Sequence, residues 1–194
     1  MILSFDPSMT CTGWALLSRD GESILAMGTI SLPEGSLADR LFSLYDDART
    51  IGGQYDRRVE FMVVERPEDN PVGGGRQRFK RSVLTLPSYG AAFASVLLAT
   101  QGWPVITPSP IEWIGQGRIP SSSGDEHKER RVRWVEGLYH LPEGSLGVKT
   151  KAGNVADAIL LGRFAAAVGP TWRPAGKRKR ERVVVTVRPQ GGKG

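Results

Sequence analysis

Three acids stand where a folded chain can bring carboxylates together. Asp6 ends the apolar run Ile2–Phe5 and precedes Pro7. Glu65 ends Val59–Val64, two positions before Pro67. Asp157 lies in line with Leu161, Phe164 and Val168 of a C-terminal helical segment. A short apolar run closed by an acid and a proline reads as a buried strand followed by a turn. Parallel neighbours in an α/β sheet present their carboxyl ends to one crevice, so Asp6 and Glu65 could face each other across one strand spacing of about 5 Å. Carboxylates that close repel unless a cation sits between them. With only His127, His140 and Cys11 as imidazole or thiol donors, the natural choice is a hard cation, Mg²⁺ or Mn²⁺.

Two further residues fit the same crevice. Asp157 occupies a buried helical stripe, where a charge is costly unless compensated, as by a metal. Asn154, three residues earlier on that face, could supply a neutral oxygen ligand. Lys128 aligns with Val132, Val135 and Tyr139 at the N-terminal end of another core stripe, where a cation could stabilise charge near the carboxylates. Each residue has an ordinary alternative: a turn former for Asp6, a surface ion pair for Glu65, a snorkelling lysine for Lys128. Their convergence is what favours chemistry.

The elements that must position these groups follow from periodicity. Ile2–Phe5, Gly13–Leu17, Ile24–Ile30, Val59–Val64 and Pro104–Ile106 read as strands, with Arg19-Asp20-Gly21 as a hairpin turn. Leu37, Leu41, Leu44, Ala48 and Ile51 recur at helical spacing behind Ser36, a suitable cap. Helices are also expected over about Ser88–Thr100, Glu126–Leu138 and Val155–Val168. This order predicts an α/β domain with a mixed five-stranded sheet flanked by helices.

Length and charge narrow the class. The chain has 194 residues, 40% of them hydrophobic, and a net charge of +6. Arg173–Gly194 holds eight basic residues and one acid, a net +7, so the 172 residues before it stand near −1. We therefore expect one domain of ordinary size over 1–172 and a basic, flexible tail over 173–194, whose Lys177, Arg178, Lys179 and Arg180 suit a polyanion. Arg76, Arg78, Lys80 and Arg81 follow the Gly-rich Pro71–Gly75 and suit backbone phosphates. Arg130, Arg131 and Arg133 either do the same or form a solvated helix face balanced by Glu126, Glu129 and Glu136. One cysteine excludes an internal disulfide and suits a reducing cytoplasm. An acid at position 6 argues against a signal peptide, and the apolar part of Ser82–Ile111, about 11 residues, is too short for a membrane span.

The motifs also resemble a known family. Ile2-Leu3-Ser4-Phe5-Asp6-Pro7-Ser8-Met9-Thr10-Cys11-Thr12-Gly13-Trp14-Ala15 resembles the opening motif of RuvC-type Holliday-junction resolvases, in which an Asp-Pro-Gly-Ser segment precedes a Thr-Gly pair. Val63-Val64-Glu65 is similar to the second strand motif. Gly153-Asn154-Val155-Ala156-Asp157-Ala158-Ile159 resembles the closing Asp-x-x-Asp-Ala helix motif, and Lys128 sits where the family carries an active-site lysine. The resemblance runs with gaps over about residues 1–168. It implies an RNase H-like fold, a homodimer, branched DNA as partner, and hydrolysis of four-way junctions using two Mg²⁺ ions, for which Mn²⁺ can substitute, with no nucleotide cofactor. Carried across, Asp6, Glu65 and Asp157 are metal ligands and Lys128 completes the catalytic set.

The departures point to a divergent, phage-type relative. Asn154 replaces an Asp; Glu65 leads into Arg66-Pro67-Glu68 without the family's aromatic; Glu112-Trp113 stand near a usual lysine. Phe79 or Tyr89 could take over base wedging. Alternatives are a nuclease of the same fold for flaps, forks or RNA–DNA hybrids, a non-catalytic DNA-binding module, or an actin-like ATPase lobe. The last needs two lobes, and this length supplies one.

Overall fold

A computed structural model describes residues 1–67, 85–116, 126–147 and 149–174. Five strands, β1 (Ile2–Asp6), β2 (Cys11–Leu17), β3 (Ile24–Ser31), β4 (Phe61–Val64) and β5 (Val105–Ile106), form one mixed sheet in the order β3-β2-β1-β4-β5. β1 runs antiparallel to β2 and parallel to β4, with Phe5 opposite Val64. That register brings Asp6 and Glu65 to the same end of adjacent parallel strands, and the Glu65 N–H donates to the Phe5 carbonyl at 3.0 Å.

Five helices flank the sheet: α1 (Leu37–Gln54), α2 (Thr85–Ala99), α3 (Pro110–Gln116), α4 (Glu126–Leu138) and α5 (Lys149–Val168). Ser36 caps α1 as expected, in a reciprocal box with Asp39. Side chains alternate across a strand, and the two faces bury different sets. Leu3, Phe5, Leu16, Met62 and Val64 pack against Leu44 and Ala48 of α1 and Ala92 and Val96 of α2. Ile2, Ala15, Leu17, Phe61 and Val63 pack against α5, whose Ala158–Leu161 are buried all round. The alternation that turns Ile2 and Val63 toward α5 turns Asp6 and Glu65 the same way.

Two elements differ from the sequence reading. α5 begins six residues before the expected Val155, so Asn154 and Asp157 sit within the helix and not at its start. The polar Lys149-Thr150-Lys151 turn and Gly153, a weak helix former, conceal that extension in the pattern. α3 was not anticipated, although Ser109-Pro110-Ile111-Glu112 has a capping serine, a first-turn proline and an acid at the right spacing. Among the described residues, no helix is long and apolar enough to cross a membrane. Trp172 stacks edge-on against Phe164 at 5.7 Å, seating the end of the described chain on the core.

Candidate active site

Close packing of β2 on α5 sets the geometry. A Cβ on Gly13 would lie 2.1 Å from the Asn154 carbonyl oxygen, so only glycine lets the strand lie this close to the helix. At this contact the Asn154 side-chain NH₂ donates to the Cys11 carbonyl at 2.6 Å. Ser4, fully buried under α5, donates from Oγ to the Ala158 carbonyl at 2.7 Å or the Ala15 carbonyl at 3.0 Å. The loop after Asp6 is held by Thr12, whose Oγ1 accepts from the Ser8 N–H at 3.0 Å, and by Arg40 of α1, which donates to the Met9 carbonyl.

Asp6, Glu65 and Asp157 line one cavity of about 360 Å³, together with Asn154, Lys128, Arg131 and Trp113. Asp157 is 7% exposed. Loss of solvent and the neighbouring Asp157 push the Asp6 carboxyl up to about 7, against the opposing pull of Lys128 and Arg131. Burial, then Asp6 and Asp157, hold Glu65 well above the usual carboxylate range. Three carboxylates therefore face two cations in a partly dry space.

Glu65 and Asp157 are held by different neighbours. Trp113, fully buried in α3, donates its indole N–H to Glu65 Oε2 at 2.8 Å. A network at the end of β4 places that indole: Arg66 donates to the Thr107 carbonyl at 2.9 Å and pairs with Glu112 at 3.2 Å. Glu112 in turn accepts from the Ser109 N–H and hydroxyl at 2.8 and 2.9 Å. Arg66 thus pairs with Glu112, and among the described residues no ion pair of Glu65 is found in place of the surface pair that its neighbour suggested. Asp157 Oδ1 accepts from Arg131 at 2.6 Å. Lys128 donates to Asn154 Oδ1 at 3.0 Å, and its stem packs on Gly153, where a Cβ would meet it at 2.9 Å.

Asp6, Glu65, Asp157, Lys128 and Asn154 share one cavity. Asn154 has both ends of its amide engaged, by Lys128 and by Cys11, which is the geometry of a positioning residue. Arg131 does not belong to a solvated arginine face: it is 7% exposed and ion-paired inside the site, while Arg130 and Arg133 are exposed. Arg133 lies 3.8 Å from Glu129. Glu136 is likewise buried, accepting the Gly144 N–H at 2.8 Å. Tyr89 lines the cavity beside Phe93. Phe79, Arg76, Arg78, Lys80, Arg81, Lys177, Arg178, Lys179 and Arg180 lie outside the described residues. The sequence reading missed Trp113, Phe93 and the inward role of Arg131. For Arg131 the signal existed, since it falls three residues after Lys128 and four before Val135, on one helical face.

The donor set fits a hard divalent ion in chemistry and charge: its ionisable ligands are carboxylates, and their mutual repulsion calls for a cation. It is not a finished cage. Among the described residues, no group of three or more His, Cys, Asp or Glu is placed to hold a metal ion. Glu65 and Asp157 each commit an oxygen to Trp113 and Arg131.

No protein-family model matches the chain, and no curated protein matches it in sequence. Solved structures do. Thermus thermophilus RuvC in complex with a Holliday junction substrate superposes with a TM-score of 0.63 at 20% identity, covering 87% of this chain and 96% of that one. A second Thermus thermophilus RuvC structure gives 0.60 at 19% identity over the same shares. The yeast mitochondrial Holliday junction resolvase Ydc2 gives 0.53 at 13% identity, covering 85% of this chain and 78% of that one. The chain has the RuvC-type, RNase H-like fold.

Proposed function

We propose that this protein is a divergent resolvase, a structure-specific endonuclease that cuts four-way DNA junctions by metal-dependent phosphodiester hydrolysis. The observation that carries this reading is the convergence of Asp6, Glu65 and Asp157 on one cavity at the carboxyl ends of parallel β1 and β4. The fold is shared with proteins solved as Holliday-junction resolvases, one of them with its junction.

Asp6, Glu65 and Asp157 would hold Mg²⁺, or Mn²⁺ in its place, which when bound supplies Lewis-acid activation of water and stabilisation of the leaving oxygen. Trp113 orients Glu65, and Asn154 orients Lys128. Lys128 offsets charge on the scissile phosphate. Tyr89 and Phe93, on the cavity wall, offer ring surface to an unstacked base. Arg130, the loop cations Arg76, Arg78, Lys80 and Arg81, and the tail hold backbone phosphates without reading sequence. Paired nicks need two sites; a homodimer provides them, and exposed Phe42 of α1 and Leu98 of α2 supply apolar surface for pairing.

The test is nicking of a labelled synthetic four-way junction in Mg²⁺ by the natural protein and by Asp6→Asn. The variant should lose cleavage by roughly a thousandfold or more while its junction binding changes by less than about threefold. Equal cleavage of plain duplex would sink the junction reading. Preference for forks, flaps or RNA–DNA hybrids would redirect it to a sister nuclease, and unchanged behaviour of Asp6→Asn would leave a binding module.

A further inference from the structure

Arg131 is the least expected group in the site. Its guanidinium is buried, donates to Asp157 Oδ1 at 2.6 Å, and lies 5.5 Å from the centroid of the Trp113 ring. Trp113 in turn donates to Glu65, so one cation touches the supports of two acids. Arg131 Nε is buried and has no hydrogen-bond partner among the described residues. An arginine cannot relieve its burial by losing a proton, and a buried pair of this kind adds little net stability once desolvation is counted. A stabilising role is therefore a weak reason for placing it here. Its charge has a direct consequence, because it neutralises one of three carboxylates on which a metal would otherwise draw, and it occupies Asp157 Oδ1.

We infer that Arg131 is a built-in counter-cation that competes with divalent metal for Asp157 and so sets the metal concentration at which the site loads. The inference rests on the metal-dependent nuclease reading, and it assigns Arg131 a positioning role with no contact to the reacting atoms. Removing the charge should have opposite effects on the two states of the site. The metal-free protein loses the buried charge partner that Arg131 gives Asp157 and becomes less stable. The metal-bound protein gains, because the ion meets a more negative cluster without a resident competitor. A merely structural ion pair predicts only the first effect.

Mn²⁺ affinity measured by calorimetry, with melting temperature in EDTA beside it, separates these cases for Arg131→Met, Arg131→Gln and Arg131→Lys. Arg131→Met should bind Mn²⁺ about tenfold more tightly than the natural protein, melt lower in EDTA, and show a larger rise in melting temperature on adding metal. Arg131→Gln, which keeps a hydrogen bond to Asp157 but no charge, should bind tighter as well and carries the comparison if the Met variant does not fold. Arg131→Lys, which keeps the charge, should stay within about threefold of the natural affinity. Affinity unchanged or weakened in the neutral variants, with the natural protein binding Mn²⁺ normally, overturns the counter-cation role alone. No Mn²⁺ uptake by the natural protein overturns the metal-dependent reading, and this inference with it.

Discussion

The two faces of the sheet are made from alternate residues of the same strands, yet they bury different chemistry. Toward α1 and α2 the buried cluster is aliphatic and aromatic throughout: Leu3, Phe5, Met62, Val64, Leu44, Val96. Toward α4 and α5, the helices that carry Arg131, Asn154 and Asp157, charged and polar groups are also buried, and Ser4 bonds to the α5 backbone. The apolar face gains stability from area removed from water. The α5 face gives up part of that gain to hold like charges close together. The difference teaches that one sheet can divide the work between its sides by a period of two residues.

This contrast predicts mutations with opposite signatures. The largest effect on stability belongs to the apolar face. Leu44→Ala, fully buried in α1, should cost about 2–5 kcal/mol of unfolding free energy while leaving the single-turnover rate per folded molecule unchanged well below the melting temperature. Denaturant unfolding beside single-turnover kinetics would show this. A matching loss of rate would mean that the faces are not independent.

Trp113→Phe should do the reverse. It keeps the aromatic volume but removes the N–H that Glu65 accepts. Cleavage should fall by roughly 10–100-fold, the usual scale for losing a group that orients a metal ligand. Its melting temperature should move little, and the deficit should narrow as metal concentration rises.

A third prediction is a pH dependence of the metal-free protein. The Asp6 carboxyl has an ordinary value of 3.8 when solvated and is pushed to about 7 in the fold, first by burial and then by Asp157. Between those values the unfolded chain has lost a proton that the folded chain keeps. Asp6 therefore makes stability fall as pH rises from about 4 to 7, and Glu65, also raised by burial, adds to the decline. Thermal unfolding in EDTA across this range should show the decline. Asp6→Asn should make it shallower and melt higher than the natural protein at pH 8, and divalent metal should restore stability to the natural protein only. A rise of stability over the same range would reverse the account of the site.

Much of this arrangement was legible in the sequence because strands and helices leave strong periodic signals. The apolar runs ending at Asp6 and Glu65 named the right two strands, and parallel pairing placed both acids at one end, as β1 and β4 do. The capping serine of α1 was readable from local chemistry alone. Less was readable where burial surrounds an element. α5 is buried on nearly every side from Ala152 to Gly162, so its stripe does not mark its beginning, and the pattern places Asn154 and Asp157 at its start. α3 is too short to show a period, and with it went the contact between Trp113 and Glu65.

What the sequence by itself determined is which residues carry charge, which strands alternate, and the three acids at strand and helix positions that converge. Local periodicity is enough for these, because it depends only on neighbours a few residues apart. How these groups are held depends on tertiary packing: Glu65 by an indole 48 residues away, Asp157 by a guanidinium 26 residues away, and the cation Lys128 by the amide of Asn154. Those partners come from separate elements whose packing on the sheet sets the distance. Arg130 and Arg133 lie one and two positions from Arg131; on a helix each position is a rotation of about 100°, enough to send Arg131 into the site and leave the other two exposed.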